Sequence, residues 1–127
     1  MKLMKIFALC LVIAGLTVSG AFAAKASMDE KGKALFDDPK AFGGTTACSA
    51  CHPGGKGLEN AGDKKAWTTP AGPAKTLEDA INLCIVNANK GKALDPKSDE
   101  MKAVVAYIKS LKEAAKKEKP KKMAPGY

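Results

Sequence analysis

The sequence predicts an all-α domain. Two stretches in its C-terminal half carry apolar residues at helical spacing, and no stretch shows the apolar–polar alternation of a half-buried strand. A third observation, Cys48-Ser49-Ala50-Cys51-His52, says what the helices surround. C-x-x-C-H is the attachment signature of a c-type haem. Two thiols one short turn apart suit the two vinyl groups of one porphyrin, and the following histidine lies under the iron as its proximal ligand. His52 is the only histidine in the chain. The expected architecture is three to five helices around one covalently bound haem.

The motif has other readings. A thioredoxin-like C-x-x-C sits near a strand–helix–strand pattern, which this sequence does not show. A structural zinc site takes four ligands in tetrahedral array. Cys48, Cys51, His52 and Cys84 would make four, but adjacent Cys51 and His52 ligate one ion awkwardly.

The N-terminus reads as a secretory leader. Lys2 and Lys5 form its positive start, and Ile6 to Val18 is an apolar run too short to span a membrane. Ala21-Phe22-Ala23 is a small-residue cleavage site, and Ala24-Lys25-Ala26 is a second one. Leu9, just before Cys10, is too bulky for a lipoprotein signal. A cut after Ala23 leaves 104 of the 127 residues, enough for one small domain. The expected divisions are a signal peptide at 1–23, a haem domain at 24–118 and a disordered basic tail at 119–127. The protein is expected in the periplasm or otherwise exported, with no membrane span after cleavage.

Each element has its own local signal. Ser27-Met28-Asp29-Glu30 is a capping box and predicts a first helix from there to about Phe36, ended by Asp37, Asp38 and Pro39. Gly32 within it gives room for another helix to come close. From Pro53 to about Lys75 the chain is rich in glycine, proline and lysine, and no regular element is predicted. Leu58 and Trp67 are its apolar anchors, set either against the haem or against the core. Thr76, with Asp79 three residues on, caps the next helix. Leu77, Ala80, Ile81, Cys84, Ile85 and Ala88 fall on one face of it, and Gly91 reads as its C-cap residue. Asp95-Pro96 predicts the start of the last helix, with proline at the first helical position. Met101, Val104, Val105, Ile108 and Leu111 form its inner face, with Tyr107 at the edge.

The formal charge is +8, and all 21 basic residues are lysine. The leader holds Lys2 and Lys5, so the remainder carries +6. Nucleic-acid readers lean on arginine; its absence, together with export, excludes nucleic acid as a partner. A lysine-rich surface suits transient docking on redox partners with acidic surfaces, where charge speeds the encounter. It serves solubility equally well. The chain is expected to act as a monomer.

Haem iron has two axial positions, and His52 fills one. With no second histidine, the sixth ligand is methionine, cysteine, lysine, water or nothing. Of the methionines beyond the leader, Met28 opens the first helix and Met123 lies in the tail, which leaves Met101. Cys84 is its rival. It is the third cysteine beyond the leader, an odd thiol in an oxidising compartment, and iron ligation would account for it. Packing as a small apolar side chain would account for it too.

Gly32-Lys33-Ala34-Leu35-Phe36 followed by Cys48 to His52 resembles class I c-type cytochromes. Three later stretches are more specific: Thr76 to Cys84, Gly91-Lys92-Ala93-Leu94, and Ser98-Asp99-Glu100-Met101 with Ala106-Tyr107-Ile108. Together they resemble the haem domains of bacterial thiosulfate dehydrogenases and of the A subunit of the sulfur-oxidising Sox complex, over roughly Met28 to Leu111. The resemblance implies a cytochrome c-like fold and a cysteine ligand matching Cys84, which makes Cys84 the favoured sixth ligand and Met101 the alternative. Those proteins have a second haem domain or a partner subunit, and arginine near the reactive cysteine. This chain has one haem motif and no arginine, so the resemblance does not extend to thiosulfate chemistry.

The leading functional expectation is an electron carrier and not an enzyme. A haem subunit or enzyme of thiosulfate oxidation is the alternative, and a gas-binding haem protein is a third.

Overall fold

The computed structural model describes residues 19–118. The expected leader up to residue 18 and the expected tail at 119–127 lie outside the described residues. Three helices form the frame: α1 (Ser19–Asp37), α2 (Leu77–Asn87) and α3 (Asp99–Glu118). Short 3-10 turns at Cys48–Ala50, Pro53–Gly55 and Ala61–Asp63, and one hairpin of β1 (Trp67–Thr69) and β2 (Gly72–Ala74), fill the space between them. The fold is a small, mainly α, cytochrome c-like one.

The helix α1 begins well before Ser27, so the S-x-x-E box does not open it in the full-length chain. Ala21, Ala23, Ala24 and Ala26 are strong helix formers, and they carry the helix back to Ser19. Its end falls at the expected place. The Asp38 amide donates the last helical bond to the Ala34 carbonyl, and the Asp38 carboxylate accepts from the Lys40 amide.

Antiparallel or crossed helices can meet closely only where side chains are small, and Gly32 is that point. A Cβ there would overlap the Ala103 carbonyl and lie 2.8 Å from Tyr107 Cβ. Beside it the Phe36 ring meets the Tyr107 ring edge-on, with centroids 5.2 Å apart at 62°. Tyr107 is therefore buried, where the helical stripe placed it at the margin. The core continues through Ile85, Met101, Val104, Ile108 and Leu111.

The segment from Pro53 to Lys75 is more ordered than its composition suggested. The strands β1 and β2 pair antiparallel, Trp67 opposite Ala74 and Thr69 opposite Gly72. The Thr69 hydroxyl donates to the Gly72 carbonyl at 2.8 Å and accepts from the Ala71 amide. The Trp67 indole N–H donates to the Ala61 carbonyl at 3.0 Å. Three-residue strands are too short to leave an alternation signal.

The start of α2 follows its sequence: the Thr76 hydroxyl accepts from the Asp79 amide at 3.0 Å. Its end does not. The left-handed residue is Lys90, at φ 59°, and Gly91 is not in that region. Gly91 serves close approach instead, since a Cβ there would lie 2.7 Å from the Phe42 carbonyl. The last helix also starts later than Asp95-Pro96 implied. Asp95 accepts from the Lys97 amide and its carbonyl from Ser98, which makes residues 95–98 a turn. Ser98 then caps α3, its hydroxyl accepting from the Met101 amide.

Candidate functional site

A cleft runs between the Cys48–Leu58 segment and α2. Two cavities, of about 350 and 220 Å³, make it up, and they share Cys48, His52, Thr69, Pro70 and Cys84 in their walls. The larger one holds Cys51, Asn87 and Asn89; the smaller reaches inward to Phe36, Trp67, Ile81 and Ile108. Leu58 and Trp67 line it as well, so both anchors serve the cleft and the core together.

The first wall comes from local turns. Cys48 opens a 3-10 turn whose carbonyl accepts from the amides of both Cys51 and His52. That bend carries the two thiols and the imidazole to one side. The chain then reverses through Gly54 and Gly55, at φ 61° and 80°, a region side chains avoid. The reversal brings the Lys56 carbonyl 3.1 Å from His52 Nδ1. A carbonyl can only accept, so Nδ1 carries the proton and Nε2 keeps its lone pair for a metal.

The second wall comes from helix packing. Cys84 lies on the same face of α2 as Leu77, Ile81 and Ile85 but is only half-buried, where those three are buried. It looks into both cavities, opposite the motif. Burial pushes its thiol up from the usual range. Burial does the same to Cys48, and the hydrogen bond from Asn89 opposes it. Met101 is elsewhere. It is 0% exposed, packs in the core, and lines neither cavity.

Two asparagines that the sequence reading passed over organise this region. Asn82 clamps Leu94 with both ends of its amide, at 2.9 and 2.8 Å, and so ties the approach to α3 onto α2. Asn89 is buried, and its Nδ2 donates to Cys48 Sγ at 3.3 Å. The one available signal was polar residues beside an apolar helical face and in the turn Asn89-Lys90-Gly91.

An apolar cleft with two cysteines and an imidazole on one wall and a third sulfur on the other defines a protein of the c-type haem class. The family model for the SoxA/TsdA cytochrome c domain matches residues 31–116, and the chain belongs to that family. No curated protein and no solved structure matches the chain. Its cofactor is covalently bound haem c with iron, and its chemistry is haem-based electron transport. The residues present fit that group: Cys48 and Cys51 would hold it by their sulfurs, His52 would offer Nε2, and the apolar side chains would cover its faces. Among the described residues no three of His, Cys, Asp and Glu converge as a metal cluster.

Proposed function

We propose that the chain is an exported monohaem cytochrome that carries single electrons between proteins, in which His52 and Cys84 are the side chains that would ligate the iron. One observation carries the reading: His52 and Cys84 both look into the same cleft, and Met101 does not. When bound, the haem supplies a one-electron iron couple whose potential depends on its axial ligands.

The chain's own residues do the rest. The Lys56 carbonyl holds the His52 ring in one tautomer. Leu58, Trp67, Ile81 and Ile108 keep water from the inner part of the cleft. A Cys84 thiolate donates electron density, which favours ferric iron and a low potential. The chain is lysine-rich overall, Lys64 lines the inner cavity, and Val86, 45% exposed, stands beside the cleft-lining Leu83 and Asn87. An apolar spot on a chain of net positive charge suits brief contact with acidic redox partners. The leader-like N-terminus supports a periplasmic setting.

The absorption spectrum and potential of the holoprotein test the ligand. A low potential with no near-infrared methionine–iron band is expected, and Cys84→Ala should change the spectrum and raise the potential. A methionine band, or an unchanged Cys84→Ala spectrum, overturns Cys84 ligation. The family match favours a second reading, a haem subunit or enzyme of thiosulfate oxidation. Turnover of thiosulfate with an artificial acceptor by the isolated protein would replace the carrier reading.

A further inference from the structure

Asn89 is the one buried amide side chain among the described residues, 4% exposed. Its Nδ2 donates to Cys48 Sγ at 3.3 Å, although 41 positions separate the two residues. Its backbone joins the same region. The Asn89 N–H donates to the Cys84 carbonyl at 3.1 Å, and its carbonyl accepts from the Thr45 amide at 2.9 Å. One residue thus touches the segment before the motif, the first cysteine of the motif, and the helix turn that carries Cys84.

Stability alone is a poor account of this contact. A buried amide needs strong partners, and sulfur is a weak acceptor. The local backbone also departs from easy geometry to make it. Lys90 sits in the left-handed region directly after Asn89. On the opposite strand of chain, a Cβ on Gly44 would overlap the Asn89 carbonyl, so only glycine lets the two segments meet. Strain of this kind next to a cleft points to a role in the site.

We propose that Asn89 is a positioning residue for the cofactor: it holds the Cys48 sulfur at the cleft wall for attachment and afterwards donates a hydrogen bond to the thioether. The inference rests on the reading that Cys48 is an attachment residue. In that step the Cys48 thiol adds across a vinyl group. One S–C bond forms, the thiol proton passes to the other vinyl carbon, and no oxidant or reductant is consumed. The thioether sulfur keeps lone pairs, so the Asn89 donor keeps its partner. A donor there draws electron density from the porphyrin edge and favours ferrous iron.

The test compares the holoprotein with Asn89→Leu and Asn89→Asp, neither of which can donate to sulfur. Peptide mass mapping reads which cysteines carry haem. The pyridine haemochrome band separates two thioethers from one, potentiometry reads the iron, and circular dichroism reads the fold. The expected result is a severalfold loss of attachment at Cys48 with Cys51 still modified, a red-shifted haemochrome band, and a lower potential in the doubly attached fraction. Either an attachment or a potential change in a folded variant supports the proposal. Folded variants with wild-type attachment and potential overturn it. Failure of both variants to fold also overturns it, since the amide would then serve the fold alone. Ser98→Ala, which loosens the start of α3 and lines neither cavity, should change neither readout; the same losses there would overturn the direct role of Asn89. Wild-type protein without haem on Cys48 would instead refute the attachment reading itself.

Discussion

The two walls of the cleft are built by opposite means. The His52 wall is made of turns, glycines and backbone hydrogen bonds between near neighbours, such as His52 to Cys48 and Gly55 to His52. The Cys84 wall is a regular helix placed by its apolar face and its contacts with the hairpin. The difference teaches that chemistry can be exact in two ways. Covalent spacing holds Cys48, Cys51 and His52 together whatever lies around them. Cys84 meets them only because α2 is held at the right height and rotation.

Substitutions can break this comparison in graded steps. Phe36 supports both walls, since it lines the cleft and meets Tyr107 behind it. Phe36→Ala should therefore cost about 3–5 kcal/mol, read by denaturant unfolding, with the spectrum of the folded fraction disturbed. Gly55→Ala strikes the His52 wall. A left-handed non-glycine costs about 1–2 kcal/mol, and the new Cβ would press on Leu111. A loss of about 2 kcal/mol is expected in the same unfolding measurement, with a change in the absorption spectrum of the holoprotein; a neutral outcome would mean that the turn is not the rigid element described above.

Thr76→Ala acts on the other wall. Losing the cap bond to Asp79 should cost about 1 kcal/mol. Hydrogen exchange should rise at the start of α2 and remain unchanged around His52. Rising exchange on both walls would show that they move as one unit. The smallest effect is a gain: Lys90→Gly removes the left-handed strain and should stabilise by up to about 1 kcal/mol, seen as a raised melting temperature. The potential should not change, because the Asn89 contacts remain.

The legibility of the sequence followed the same division. The C-x-x-C-H motif, the Thr76 cap and the apolar faces of α2 and α3 are local patterns, and each stands where its spacing put it. The errors lie where neighbours competed. Alanines ahead of Ser27 extended α1, and Asp95 spent its carboxylate on a turn, which left the capping of α3 to Ser98. Asn82 and Asn89 were illegible because their partners, Leu94 and Cys48, are brought to them by folding.

The sequence by itself therefore determined the cofactor and the grouping of Cys48, Cys51 and His52 on one wall of the cleft. Those depend on residues within one turn of each other, whose distances are set by covalent geometry. Tertiary structure decided which sulfur faces them across the cleft. Cys84 and Met101 both lie on apolar helical stripes, and a stripe says only that a residue points inward. The close crossing at Gly32 and the packing of α2 on the hairpin put Met101 in the core and turned Cys84 to the cleft, because burial depth depends on the whole set of packed helices.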